Sequence, residues 1–224
     1  MLSLILAAIF FAGLHLGIAG TRLRDRAVTA LGAGPYRAVF SVASALCLIW
    51  LAVAYKHAPL IVTWGTPGWW KPVAIILMIP AFILAVTGLR TPNPTAVGME
   101  SLAARSPEGI VKVTRHPLLM GIGLWALVHL VANGDVPSFI FFGTLAINAL
   151  AGTVSIDAKR RHALGPAWES FAAQTSVIPF AAIAAGRTRF MLAEIPPGRW
   201  AAAIILYLLL LFGHADLFGV SPFR

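Results

Sequence analysis

Six apolar runs, each close to the length that crosses a bilayer, dictate what this chain can become. They fall near residues 2–20, 36–55, 72–90, 117–133, 137–155 and 200–218. About 20 apolar residues in helical form span the hydrocarbon core, where each backbone polar group has to be satisfied within its own segment. The runs therefore predict an all-α, polytopic transmembrane helix bundle of about six spans. Only the tight turn Asn133-Gly134-Asp135 separates the fourth run from the fifth, so these two form a helical hairpin. There is no internal repeat and no separable soluble segment, and residues 1–224 read as a single integral membrane domain. Arg22, Arg24 and Arg26 follow the first run rather than precede it, so that run reads as a span and not as a signal peptide.

A formal charge of +9 would, in a soluble domain, point to nucleic acid. Here only 11% of residues are charged and the mean hydropathy is +0.85, so nucleic acid is excluded and the bilayer is the partner. Fourteen of the seventeen basic residues lie in the first, third and fifth loops, and only Lys56, Lys71 and Arg224 lie on the other side. The positive-inside rule then places those three loops in the cytoplasm and both termini outside. Trp64, Trp69 and Trp70 fit an aromatic belt at the outer interface. The third loop, with Pro92 and Pro94, predicts a re-entrant or surface segment with helical pattern over 99–105. The fifth predicts a surface helix broken at Gly165-Pro166.

The chemistry rests on histidine. Cys47 is the sole cysteine, which excludes an internal disulfide, a cysteine-based metal site and covalent haem attachment through C-x-x-C-H. His129 lies deep in the fourth run, roughly 18–20 Å along its helix from the cytoplasmic end, and Gly121, Trp125 and His129 share one stripe. An ionisable group at that depth is a functional-site hypothesis by default, the other reading being an interhelical hydrogen bond. His15, in the first run, shares a face with Ala8, Ala12 and Ala19, and Arg22 is two turns further on, roughly 10 Å along the axis. That spacing suits a haem b ligand with an arginine at the distance of a propionate; again the alternative is a histidine bonded between helices. His214, seven residues after Tyr207, lies about as deep as His129. His116 precedes Pro117 and is the N-cap of the fourth helix, a ligand, or a neighbour of one. His57 and His162 sit in basic loops and read as solvated. All eight acids lie at or beyond span ends, so a relay of buried carboxylates is excluded, and no Gly-rich phosphate loop or Ser-His-Asp pattern is present.

Taken together, HLGIAGTRLR, RHPLLMGIGLWALVHLVANGD, DAKRRHALGPAWESF with VIPF, and the terminal HADLFGVSPF resemble the NnrU family across essentially the whole chain. That family includes bacterial proteins linked to denitrification and is similar to the 15-cis-zeta-carotene isomerases, membrane enzymes with haem b and two histidine ligands. The resemblance implies a multi-pass protein of the bacterial inner membrane with non-covalent haem b, His15 and His129 as ligands, and Arg22 and Trp125 beside the ring. His116 and His214 remain as alternate ligands. It also implies a lipophilic polyene substrate in a slot opened by Gly121, Gly123, Ala8 and Ala12 and walled by Trp125 and Phe11. RHPLLMG is also similar to the R-H-P-x-Y-x-G of isoprenylcysteine and phospholipid methyltransferases, but Leu119 stands at the tyrosine and Asp157-Ala158 at the paired glutamates. Three readings follow: a haem-dependent cis–trans isomerase, a non-catalytic accessory protein for nitrite and nitric oxide reduction, and a membrane methyltransferase.

Overall fold

A computed structural model describes residues 1–223; Arg224, assigned above to the outer side, lies outside the described residues. Helix α1 (Leu2–Ala12) runs on into a π-type turn, Gly13–Ile18, and the chain then bends by 79° into α2 (Arg22–Leu31). Next come α3 (Ala33–Lys56), α4 (Trp70–Arg90) and, after a 3-10 turn at Glu100–Ala104, the short α5 (Ile110–Val113). The hairpin is α6 (Pro117–Asn133) and α7 (Val136–Leu164), followed by α8 (Pro166–Gln174) and α9 (Ala181–Ala184). A 3-10 turn at Leu192–Glu194 leads to α10 (Pro197–Phe212) and α11 (His214–Phe218). No strand forms among the described residues; an isolated bridge joins Val62 to Asp135.

The expected six spans are met in part. Among the described residues only α3, α4 and α7 are long and apolar enough to cross a membrane, and the bent pair α1–α2 raises the number to four at most. The first run is split because the helix unwinds at the π turn, and Thr21 then caps α2 by accepting the Leu23 N–H at 3.3 Å. The last run is split at Gly213, leaving α10 with 16 residues; α6 has 17, roughly 25 Å of helix. Helix α7 errs the other way. Its 29 residues continue past the apolar stretch through Asp157 and Arg161, so the segment read as a broken surface helix is the inner end of α7 followed by α8.

Small residues bring α4 and α6 together almost backbone to backbone. A Cβ added at Gly121 would lie 2.7 Å from the Ala81 carbonyl oxygen and the Ala85 nitrogen, and one at Gly88 would lie 2.8 Å from Pro117. Such close approach is how helices associate where lipid removes the hydrophobic drive between them. The α6–α7 turn is fixed from both sides. Gly134 adopts φ +59, a left-handed cap, and any Cβ there would collide with the Gly65 carbonyl. Asp135 caps α7 through the Ser138 N–H at 2.7 Å, and Thr63 and Gly65 donate backbone N–H groups to the Gly134 carbonyl. Trp64 and Trp70 donate their indole N–H groups to the carbonyls of Val131 and Val128 on α6. At the opposite end Trp168, Phe171, Ile110, Val111 and Ile195 form a separate core that packs α5 and α8 under α4.

Candidate functional site

The bundle holds histidines at two kinds of place. His116 is the N-cap of α6 and is 2% exposed. Its Nε2 lies 2.7 Å from Asp157 Oδ1, and Asp157 Oδ2 accepts from Arg115 Nε at 2.9 Å and Nη2 at 2.6 Å. Arg115 also reaches the Thr175 carbonyl at 3.3 Å and lies 5.9 Å over the Trp168 ring. Its backbone is equally occupied: the N–H donates to Ser176 O, and the carbonyl accepts from Asn93 Nδ2 and Thr95 Oγ1. This network joins α6, α7, the third loop and the segment after α8. The sequence reading meets Asp157 only at the position of the methyltransferases' paired glutamates and not as the partner of His116, although a lone acid near the end of an otherwise apolar helix is the signal for it.

His129, His15 and His214 lie beside aromatic rings and each is bonded through Nδ1 alone. His129 Nδ1 donates to the Trp125 carbonyl at 2.8 Å, His15 Nδ1 to Phe11 O at 2.9 Å, and His214 Nδ1 to Val220 O at 2.7 Å. In each ring this fixes the tautomer and leaves Nε2 with its lone pair and no hydrogen-bond partner among the described residues. Donation of the other ring N–H to a backbone carbonyl is the usual arrangement of a metal-ligating imidazole. His129 sits against Trp125 and Phe142, with ring centroids at 5.0 and 5.2 Å. It also faces His214 at 6.3 Å with 21° between planes. Two imidazoles holding one ion from opposite sides have centroids roughly 6 Å apart, from about 2 Å per metal–nitrogen bond and about 1 Å from nitrogen to ring centre.

His15 is on the π turn, 4.3 Å from Phe11 and 5.5 Å from Phe40. Of the five buried polar side-chain atoms without a partner among the described residues, Trp168 Nε1 is in the α5–α8 core and the other four are on α3 and α7, the helices beside His15. Tyr36 OH, Ser44 Oγ, Asn148 Oδ1 and Ser155 Oγ are all buried without a hydrogen-bond partner. Tyr36, Phe40 and Ser44 share one face of α3, whose next members Cys47 and Leu51 pack on α1. On α7, Leu145 packs toward α1, a Cβ at Gly20 would lie 3.2 Å from Ser155 Oγ, and Lys159 donates to the Ala19 carbonyl at 2.6 Å. Asn148 falls on that same stripe, between Leu145 and Ser155. Gly13 and Gly17, on the turn itself, have open space where a Cβ would stand.

The structure thus brings together His129, Trp125 and His214. It places His15 one helix away and roughly 10 Å nearer the inner end, because Gly20 is level with Ser155 on α7 whereas His129 is level with Phe142. Arg22 departs from its expected place. The 79° bend takes it off the axis of α1, and it stands exposed at the start of α2. Of the four residues expected to open a slot, Gly121 meets α4, Gly123 meets Leu150 and Ala8 is in the α1–α3 core, while Ala12 is partly exposed. Phe11 and Trp125 do stand beside His15 and His129.

An all-helical bundle with long apolar helices and half-engaged histidines at apolar depth defines the class of protein. The chain belongs to the NnrU family, whose profile, described as "NnrU protein", matches residues 3–222. It is 26% identical over 190 residues to "15-cis-zeta-carotene isomerase, chloroplastic" of Arabidopsis thaliana, and 27% identical over 191 residues to the protein of the same name from Zea mays. Each alignment covers 83% of this chain and 51% of the relative, so the chain spans about half the length of the curated relatives it matches. No solved structure matches the chain.

Proposed function

We propose that this chain is a multi-pass protein of a bacterial inner membrane that binds one haem b non-covalently and isomerises a cis double bond in a carotenoid-like polyene. In this reading the shorter α6 and α10 cross the membrane beside α1, α3, α4 and α7, giving six crossings. Tilt and local thinning accommodate helices of such length. Exposed Ile, Leu, Val and Phe side chains along α3, α7 and α10 face lipid, and the basic inner loops orient the chain.

The observation that carries the reading is the set of apolar-depth imidazoles with Nδ1–H tied to backbone and Nε2 left free. Neutral imidazole is an axial donor for haem iron, so the donor set fits the group. The buried orphan atoms of Tyr36, Ser44, Asn148 and Ser155 fit it as well, since unsatisfied polar groups in a bilayer call for a polar partner. His129 and His15 are the ligands by family resemblance, with His214 facing His129 as the alternate. If bound and reduced, haem b would supply an electron-rich iron for an alkene to interact with. The chain's own part is to hold the rings: Phe11 and Phe40 clamp His15, and Trp125 and Phe142 clamp His129. No acid or base is needed to rotate a polyene bond, which agrees with the lack of carboxylates among these aromatic and aliphatic walls.

The names of the two relatives support the isomerase reading. The alternative is a non-catalytic haem protein that assists nitrite and nitric oxide reductases. It is favoured by the family match over residues 3–222 while only half of each isomerase is matched. Reduced, haem-replete protein in liposomes should convert the tri-cis form of zeta-carotene, and oxidised protein should not. Unchanged carotene, together with lowered nitrite or nitric oxide reduction after gene deletion, establishes the accessory role instead.

A further inference from the structure

We infer that the inner end of the groove between α4 and α10 is a binding site for the headgroup of an anionic phospholipid. A cavity of about 650 Å³ opens there, lined by Val86, Arg90, Pro196, Gly198, Arg199 and Ala202. The last turn of α4 and the first turn of α10 form its two sides, so both arginines stand at the same end of an antiparallel helix pair. Arg199 is held in place by one donated bond, Nη1 to Thr91 Oγ1 at 3.0 Å, which leaves Nε and Nη2 available. Arg90 is exposed and makes no hydrogen bond or ion pair among the described residues. The nearest acid in sequence, Glu194, is already engaged by Lys112 Nζ at 2.7 Å and by the Gly109 N–H at 2.8 Å. Among the described residues no carboxylate pairs with either guanidinium.

Two planar guanidiniums flanking one opening form a phosphate-binding pair. The rest of the lining decides which phosphate. Val86, Pro196 and Ala202 are apolar, and Ile204, Ile205, Leu208 and Leu209 are exposed further along α10. A soluble anion would satisfy the arginines and leave this wall wet. A glycerophospholipid satisfies both, with its phosphate between Arg90 and Arg199 and its chains along the groove. Basic pockets between helices at the inner leaflet bind lipid headgroups in this manner. The site rests on α4 and α10 lying in a bilayer, as proposed above, and is independent of haem.

The test is native mass spectrometry of the full-length protein released from nanodiscs of equal phosphatidylcholine and phosphatidylglycerol. The protein should retain phosphatidylglycerol in preference. Arg90→Gln should lower that retention roughly fivefold, and Arg90→Gln with Arg199→Gln roughly 30-fold. Because Arg199 also bonds Thr91, Arg90→Gln is the variant that tests the site without disturbing the fold, as circular dichroism should verify. Arg105→Gln, an exposed arginine elsewhere on the basic side, should leave retention unchanged. Equal retention of both lipids, an Arg105→Gln loss equal to that of Arg90→Gln, or displacement of the lipid by millimolar inorganic phosphate overturns the proposal. Loss of haem binding in other variants with lipid retention intact separates this site from the functional reading.

Discussion

His116 caps the helix that carries His129, thirteen residues on, and the fold treats the two in opposite ways. Around His116 the neighbours are charged: its Nε2 meets a carboxylate, the carboxylate a guanidinium, and the guanidinium a backbone carbonyl. Around His129 the neighbours are Trp125, Phe142 and His214, and one ring nitrogen is left without a partner. The Asp157 carboxylate occupies the His116 Nε2 that a metal would need, and with Arg115 it ties the start of α6 to α7. An imidazole held by one backbone bond at apolar depth keeps its coordinating capacity. The difference teaches that burial and histidine together do not mark a site; an Nε2 left free among aromatic rings does.

Removing Asp157 should break this contrast at its structural side. Asp157→Ala leaves Arg115 and His116 buried without their shared acceptor, and loss of one member of such a network costs about 3–5 kcal/mol. Thermal unfolding in detergent should show it as the most damaging change. His116→Ala keeps the Arg115–Asp157 pair and should cost about 2–3 kcal/mol, from lost packing and one unpaired carboxylate oxygen. The folded fraction of that variant should keep the absorption spectrum of the parent protein; a lost spectrum would move His116 to the ligand side of the comparison.

A smaller effect comes from acid. Burial works against the Glu194 carboxylate, but the hydrogen bonds from Lys112 and the Gly109 N–H and the Lys112 charge outweigh it and hold its carboxyl below the ordinary value. A group whose folded pKa is lowered contributes stability that is present above the unfolded pKa and lost as pH falls through the folded one. The inner end should therefore loosen below the usual glutamate range, by about 1 kcal/mol. Glu194→Gln should flatten that dependence in pH-resolved unfolding, and an unchanged profile would show that Glu194 does not couple to the fold.

Much of this was legible in the residues. Pro117 and Gly134 set the ends of α6 by backbone chemistry alone, and the helix runs over the predicted 117–133. The equal depth of His129 and His214 follows from counting turns, and the rings do face each other. What local pattern does not carry is where a run breaks. The π turn at Gly13–Ile18 and the bend before Arg22 depend on contacts from α7, the Lys159 bond to Ala19 and Ser155 against Gly20, more than 130 residues away. Glycine also misled the reading. Gly121 and Gly123 on a histidine-bearing helix read as an opening for a ligand, whereas they admit the backbone of α4 and the side chain of Leu150. The Asp157 partner of His116 is 41 residues off, beyond any spacing rule.

The central claim is that the half-engaged histidines, and His129 first among them, hold haem iron. The direct measurement is the reduced-minus-oxidised absorption spectrum of purified His129→Ala beside the parent and His116→Ala. The account predicts a b-type haem spectrum in the parent, its loss or strong weakening in His129→Ala, and its retention per folded molecule in His116→Ala. An unchanged spectrum in His129→Ala, or a parent that carries no haem when purified from cells with ample supply, contradicts it.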